Sequence, residues 1–292
     1  MFFLKYNVFP KILNRVLYCE YKQRYDMKKK NTKKILAVIF LSIAAAGLFC
    51  FGVWNNMSEV NEVKDVLVMN EKLRNEVVKP APIPEQPLKE TEEPPFTVDI
   101  EVDFNALKET NQDIIAWLYL PDTYISFPVL QERTLMEYYY LDHDYSGKHI
   151  WSGSIFTPAE PLGVEDAHML LFGHNSKHDE VMFSNLHDFY STYEAGTSHS
   201  FLYLLYPDRI ERWGLWCAVE TTSDDPAYEI PYQLGTDSYR ELLEGMTERA
   251  LYTDGDIPSA DEKILVLSTC NGAAGGTKRF YTVFTRTGVI EK

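Results

Sequence analysis

Hydrophobic residues recur along the C-terminal two thirds of the chain in short runs separated by turn formers, which is typical of a mainly β protein. Strands are predicted where β-branched and aromatic residues cluster, at 116–120, 125–130, 153–156, 169–172, 201–206, 212–221, 265–267 and 280–284. Helical spacing appears at 103–111, 181–190 and, most strongly, 237–250. Many short strands with interspersed helices predict a closed or nearly closed antiparallel β-barrel with helical insertions.

The N-terminal part follows a different pattern. The 20 residues Ile35–Trp54 contain no charge, which is the length that spans a hydrocarbon core of about 30 Å as a helix. Five lysines lie just before this run, and basic flanks stay in the cytoplasm, so we expect a single-pass protein with its N-terminus inside and its C-terminal part outside. A cleaved signal peptide is the alternative; the length of the run and the lack of a small-x-small cleavage site favour an uncleaved anchor.

The distribution of charged residues supports this division between the N-terminal part and the rest of the chain. Residues 1–34 carry ten basic and two acidic residues, a net charge of +8, whereas the whole chain carries −15, which leaves −23 for the remainder. Such an acidic domain would repel a phosphate backbone, so nucleic acid is not expected as a partner. The Lys-rich sequence after Met27 is itself typical of a translation start, so residues 1–26 are either a native N-terminus or an over-extended start.

Two connecting segments separate the anchor from the folded domain. Heptad-like apolar spacing between Ser58 and Val78 predicts a short stalk helix, and the Pro-rich sequence Lys79–Pro95 predicts an extended spacer. The expected organisation is therefore a basic cytoplasmic segment (1–34), a membrane anchor (35–54), a stalk and linker (55–95) and an extracellular domain (96–292).

Candidate chemistry lies at strand ends. Cys270 follows the apolar run of LVLSTC, and Arg279 begins the next strand, so the two side chains can meet if the strands pair antiparallel. His174 follows the strand MLLFG and also emerges at a strand end. A thiol needs a route to thiolate and its target carbonyl needs oxyanion support, so convergence of Cys, His and Arg at one barrel rim predicts a cysteine transpeptidase.

The other cysteines and histidines have simpler interpretations. Cys19 and Cys50 fall in the cytoplasmic and membrane segments, and Cys217 lies mid-strand as a small buried hydrophobe. The remaining histidines are expected on the surface: His143, His149, His168, His178, His187 and His199. Their irregular spacing argues against a zinc site, and no cofactor is expected. A papain-like hydrolase does not fit, because its cysteine lies on a helix upstream of its histidine.

The motifs resemble those of the class B sortases. LSTC followed by a loop and TKR resembles the family signature, LLFGHNSKHDEVMFSNLHDF resembles its histidine block, and YYLDHDYSGKHIWSGSIF resembles the segment that precedes that block. VDFNALKETNQDIIAWLYLPDTYISFPVLQ resembles the N-terminal helix and first strands of the class. The stretch from Thr221 to Lys263 resembles the helical insertion between strands six and seven. The resemblance covers residues 96–292 and implies a sortase-type closed barrel of about eight strands.

The resemblance also implies roles for individual residues. Cys270 matches the nucleophile, His174 the general acid/base, and Arg279 the arginine that positions substrate and supports the oxyanion. Four positions match the sorting-signal groove: Ser268, Leu141, Ser223 and Tyr228. The sequence departs from the family pattern in the loop after Cys270, which is about one residue shorter and has Asn271 in place of an acidic residue.

The implied reaction is transpeptidation. A surface protein with a C-terminal NPQTN-like signal is cleaved at Thr, and the Thr carboxyl is joined to an amine of a cell-wall precursor. A pilin-polymerising or LPxTG-like specificity stays open as an alternative within the family. A catalytically inactive, membrane-tethered binding module stays open as an alternative outside it.

Overall fold

The structure is a computed structural model that describes residues 9–81, 96–132, 138–158, 167–176, 180–229, 231–272 and 276–292. Most of the predicted Pro-rich spacer, residues 82–95, and His178 lie outside these ranges. The chain divides into two compact units, Met1–Asn61 and Glu62–Lys292. Each unit is described by itself.

The first unit is helical. Helix α1 runs over Phe9–Val77, and within it Tyr18–Trp54 is long and apolar enough to cross a membrane by length and composition. It is the one such helix among the residues that the structure describes, and a signal sequence near an N-terminus meets the same criteria. The apolar run that the sequence marks as an anchor therefore lies within this helix.

The second unit is a closed β-barrel. Eight strands follow one another around it in the order β11-β10-β6-β5-β4-β3-β7-β8, and pairing of β8 with β11 closes the ring. The bounds of these strands are β3 Ile114–Tyr119, β4 Ser126–Leu130, β5 Ile155–Phe156, β6 His168–Phe172, β7 Phe201–Leu205, β8 Arg209–Thr222, β10 Ile264–Cys270 and β11 Lys278–Glu291. The closed barrel of about eight strands predicted from the sequence is confirmed, and each predicted strand is present. The barrel is not wholly antiparallel as expected, because β4 pairs with β5 and β6 pairs with β10 in parallel.

Alternation along the strands divides the core into layers, because successive side chains of a strand point to opposite faces. On β10, Leu265 and Leu267 belong to the cluster that fills the barrel, whereas Ile264 and Val266 belong to a second cluster on the outer face. Helix α5, Asp237–Arg249, covers this outer face with four buried side chains, Tyr239, Leu242, Leu243 and Met246. The helix that the sequence places in the connection between the sixth and seventh barrel strands therefore packs beside the strand that carries Cys270.

The compact unit extends upstream of Phe96, the expected start of the folded domain. Val63 and Val66 at the end of α1 belong to the barrel core cluster, and Leu73 and Val77 belong to a third cluster. Strand β1, Val78–Pro80, then pairs antiparallel with β2, Ile100–Val102. The predicted stalk segment is helical, but its apolar stripe packs against the barrel instead of standing apart from it.

The remaining elements agree with the sequence in part. Helix α2, Phe104–Thr110, begins at Asp103, whose carboxylate accepts hydrogen bonds from two backbone amides of the first turn. The helix predicted over 181–190 is shorter, and α3 covers only Leu186–Tyr190. The physical reason is the backbone of Met182, whose positive φ of 46° is incompatible with a right-handed helix. Two further elements follow from no sequence prediction: helix α4, Tyr193–Thr197, and strand β9, Ala250–Thr253, which pairs with β8 outside the ring.

Candidate active site

Strand register brings the three predicted chemical residues to one edge of the barrel. Strand β10 runs parallel to β6, with Ser268 opposite Phe172, so Cys270 and His174 each lie two residues beyond this pair. On its other side β10 runs antiparallel to β11, with Cys270 directly opposite Arg279. Neighbouring strands lie about 4.8 Å apart. The order across this edge is therefore His174, Cys270, Arg279, with the thiol in the middle.

Alternation decides which face of the sheet Cys270 occupies. Cys270 has the same parity on β10 as Val266 and Ser268, and Val266 packs in the cluster on the outer face beneath α5. Arg279 has the same parity on β11 as Tyr281, which also belongs to that outer cluster. The thiol and the guanidinium therefore share the outer face, at the end of the strands that α5 leaves uncovered.

The imidazole of His174 is oriented by a backbone carbonyl. Its Nε2 lies 2.8 Å from the carbonyl oxygen of Leu141. A carbonyl can only accept, so in the neutral ring Nε2 carries the hydrogen and Nδ1 is the nitrogen that can take up a proton. Burial lowers the pKa of His174, and the Leu141 carbonyl and the charge of Asp142 oppose this shift. The Leu141 contact thus holds the neutral ring in one tautomer, and burial favours the neutral form.

The two thiols of the barrel differ in accessibility. Cys270 is half-buried at the end of β10, whereas Cys217 is fully buried in the middle of β8. Both are free, so no disulfide joins them. Burial raises the pKa of the Cys217 thiol, which leaves it protonated and inert. The structure therefore agrees with the interpretation of Cys217 as a small buried hydrophobe.

The guanidinium of Arg279 is tied to the base of its own loop. Its Nη1 donates to the carbonyl oxygen of Gly276 at 2.7 Å and to that of Lys278 at 2.9 Å. The amide of Asn271 donates to the Lys278 carbonyl at 3.0 Å, which closes the loop between the two strands. A guanidinium has five N–H donors, so these two bonds leave capacity for a further acceptor.

The four residues predicted to line a groove are distributed around the same edge. The Tyr228 hydroxyl lies 2.9 Å from Oγ of Ser268, which is fully buried, and its ring stacks on Phe172 with centroids 6.1 Å apart. The Leu141 side chain is exposed, and its carbonyl oxygen makes the contact with His174 described above. Ser223 is exposed, and its amide donates to the Thr277 carbonyl, two residues before Arg279, at 2.8 Å.

Several residues that shape the edge have no role in the sequence analysis. The Asn175 side chain donates to the carbonyl oxygen of Cys270 at 2.7 Å, and the buried Thr269 hydroxyl donates to the Gly173 carbonyl at 2.7 Å. The Gly173 amide donates in turn to the Ser268 carbonyl at 3.2 Å. These bonds join the two strand ends that carry His174 and Cys270. Their signal in the sequence is only the Gly-His-Asn order after MLLF.

One histidine differs from the expectation of surface positions. His168 is only 1% exposed at the start of β6, where strand pairing forces its side chain into the outer-face core. Its ring packs edge-on against Tyr232 with centroids 5.7 Å apart. Burial lowers the pKa of His168 to about 4. Within the described ranges, no group of three or more His, Cys, Asp or Glu side chains is arranged to hold a metal ion.

Comparison with known proteins supports the same conclusion as the geometry. No family model matches the chain. Sortase B of Listeria monocytogenes is 27% identical over 184 residues, which cover 59% of this chain and 69% of that protein. Sortase B of Staphylococcus aureus is 28% identical over 186 residues, which cover 62% of this chain and 72% of that protein. These similarities support a class B sortase.

Solved structures agree with this assignment. The Staphylococcus aureus sortase B–substrate complex has a TM-score of 0.56 at 26% identity and covers 63% of this chain and 84% of that one. A Bacillus anthracis protein described as similar to sortase B has a TM-score of 0.53 at 28% identity, with 65% and 83% covered. Sortases are cysteine transpeptidases, and this chain is an enzyme of that class.

Proposed function

We propose that Cys270 is the nucleophile of this sortase, His174 its general acid/base and Arg279 the residue that stabilises the oxyanion. The observation that supports these roles is the convergence of the three at one barrel edge, with the half-buried thiol between an imidazole and a guanidinium. The other thiol of the barrel is buried and kept protonated, so it does not compete for the nucleophilic role.

The reaction follows from the chemistry of these groups. His174 takes the thiol proton of Cys270 as the sulfur attacks the carbonyl carbon of a threonine in the substrate, and Arg279 stabilises the charge that develops on the carbonyl oxygen. The C–N bond then breaks as His174 gives this proton to the leaving amine, which leaves a thioester between Cys270 and the threonine. An incoming amine attacks this thioester and loses a proton to His174, a new amide bond forms, and the Cys270 sulfur leaves and regains the proton from His174.

We further propose that the substrate is the C-terminal sorting signal of a surface protein, NPQTN-like in sequence. Leu141, Ser223 and Tyr228 are the proposed contacts with this signal, and they lie around the same barrel edge as the thiol. Ser268 is fully buried, so its proposed role in the groove is to support Tyr228 through the contact between the two hydroxyls. The proposed acceptor is an amine of the cell-wall precursor, in the stem or cross-bridge of peptidoglycan.

The test uses the folded unit with a panel of fluorogenic peptides that carry NPQTN-like and LPxTG-like signals. Cleavage between Thr and the next residue is expected for the NPQTN-like peptides in the wild type and not in Cys270→Ala. Added amine should yield the amide product and accelerate release. Failure of every peptide to be cleaved, in a protein shown to be folded by circular dichroism, would contradict the proposed substrate.

The proposed location is the cell membrane, with the catalytic domain outside. The supporting feature is the apolar part of α1, preceded by the lysine cluster that is expected to stay in the cytoplasm. Fractionation of cells that express the full chain is expected to leave it in the membrane fraction, with the barrel open to external protease. A soluble product that begins after Trp54 would show a cleaved signal instead.

A further inference from the structure

Tyr228 is the aromatic residue among the four proposed groove residues. Its hydroxyl contacts Ser268, its ring stacks on Phe172, and its edge packs against Tyr281 with centroids 6.3 Å apart. Ser268 lies on β10 two residues before Cys270, so Tyr228 stands beside the strand that carries the proposed nucleophile. The position of Tyr228 therefore affects the shape of the proposed groove beside Cys270.

The segment that carries Tyr228 has little regular structure of its own. It lies in the connection between β8 and α5, where a short 3-10 turn, Pro226–Tyr228, carries Tyr228 as its last residue. The turn is closed by the Tyr228 amide, which donates to the Asp225 carbonyl at 2.9 Å. A single turn of this kind is not stable by itself, so its position must come from contacts outside it.

The carboxylate of Asp225 supplies polar contacts that hold the turn, in addition to the ring contacts of Tyr228. Its Oδ1 accepts from the Ala227 amide at 2.8 Å, and its Oδ2 accepts from the Thr221 hydroxyl at 2.6 Å. Arg249 approaches both oxygens, with Nε 3.1 Å from Oδ2 and Nη2 3.2 Å from Oδ1. The carboxylate is 1% exposed, and the Arg249 side chain is about one-third exposed (35%). One buried group thereby joins the end of β8, the 3-10 turn and the last residue of α5.

We propose that the Asp225–Arg249 ion pair is the positioning device for Tyr228 and, through it, for substrate binding. The inference rests on the proposed function, since Tyr228 is taken there as a wall of the sorting-signal groove. Arg249 is suited to this task because its planar fork matches a carboxylate with two parallel hydrogen bonds, which fixes an angle as well as a distance. Neither residue of the pair touches the reacting atoms, so the pair should act on KM more than on kcat.

The test compares Arg249→Gln with a matched control, Arg240→Gln. Arg240 lies on the same helix and pairs with Asp237, but this pair is exposed, with 52% and 91% of the two side chains accessible. Loss of the Arg249 pair is expected to raise KM for the signal peptide about tenfold or more, with kcat changed less than about threefold, because a buried carboxylate is left uncompensated. The control should leave both constants at their wild-type values, because exposed pairs contribute little.

A double-variant cycle shows whether the effect passes through Tyr228. If it does, Arg249→Gln should raise KM in the wild type but add little in a Tyr228→Ala background. Arg249→Lys, which keeps the charge without the fork, should restore KM only in part. Additive effects in the cycle, a KM shift equal to that of Arg240→Gln, or a loss confined to kcat would each overturn the proposal.

A substrate-free measurement separates this proposal from the proposed function. Hydrogen exchange of the 222–229 segment should become about tenfold faster in Arg249→Gln and stay unchanged in Arg240→Gln, because the Tyr228 amide bond opens more often. If the wild type cleaved no peptide while the exchange behaved as expected, the substrate assignment would fail and the positioning role would stand. Unchanged exchange in Arg249→Gln would overturn the positioning role whatever the peptide results.

Discussion

Gly173 has no Cβ, and this allows the strand end that carries His174 to pack closely against its neighbours. Gly173→Ala tests how much the chemistry depends on that packing. A Cβ at this position would lie 2.5 Å from Cδ2 of Phe183 and 2.6 Å from Cδ1 of Ile155, whereas ordinary contacts begin near 3.4 Å. Both neighbours are buried, so they or the backbone must move by close to 1 Å. Overpacking of this kind costs about 1–3 kcal/mol of stability. A misplacement of about 1 Å typically costs about 100-fold in rate, and that is the loss of kcat/KM we expect.

The assay is steady-state cleavage of a signal peptide together with urea unfolding of the same preparations. Ile264→Ala is the matched control, because Ile264 is buried at the opposite end of β10 from Cys270 and its truncation costs about 2–5 kcal/mol. The control should lose at least as much stability as Gly173→Ala and keep its activity below the unfolding transition. Gly173→Ala/Ile155→Val, which removes the clashing Cδ1 of Ile155, should recover part of the rate. Near-native kcat/KM in Gly173→Ala, or an equal loss in the control, would refute the reasoning.

Three further variants test separate parts of the account. Arg279→Lys is expected to lower kcat by about 100- to 1,000-fold, because lysine keeps the charge but loses the planar fork; a change confined to KM would show that Arg279 only binds substrate. Cys217→Ala should reduce stability modestly and leave turnover intact, which urea unfolding and peptide cleavage would check together. His168 is protonated in the unfolded chain below pH 6.5 but in the native state only near pH 4, so stability should fall as the pH drops between these values. The wild type is therefore expected to lose about 2 kcal/mol of unfolding free energy between pH 7 and pH 5 through this group, and His168→Leu should lose about 2 kcal/mol less over the same range. Equal losses of the two proteins in urea unfolding would contradict this effect of His168.

The barrel could be predicted because local pattern and global fold agree. The apolar runs around Cys270 and before His174 are bounded by turn formers, so strand ends, and the residues at them, are visible in the sequence. The resemblance to a known family then implied a closed barrel of about eight strands. The pairing of Cys270 with Arg279 also follows from sequence, because two consecutive strands with a short loop between them pair antiparallel in most cases.

What the sequence did not predict depends on long-range contacts. The bond from Asn175 to the Cys270 carbonyl joins residues 95 positions apart, and the Arg249–Asp225 pair joins a helix end to a turn 24 positions earlier. The sequence of β9 has no apolar run that distinguishes it from the helical pattern just before it. The strand forms because β8 offers an edge with which it can pair. The helix at 181–190 was overpredicted because apolar spacing does not reveal the positive φ at Met182.

The most direct test of the central claim is to trap the acyl-enzyme and locate it. The wild type would be mixed with an NPQTN-like peptide without an amine acceptor, quenched in acid, and measured as intact protein and as protease fragments. The expected result is a mass increase equal to the peptide up to its threonine, carried by Cys270, released by hydroxylamine, and absent from Cys270→Ala. An adduct on Cys217, or product formation in Cys270→Ala at the wild-type rate, would contradict it.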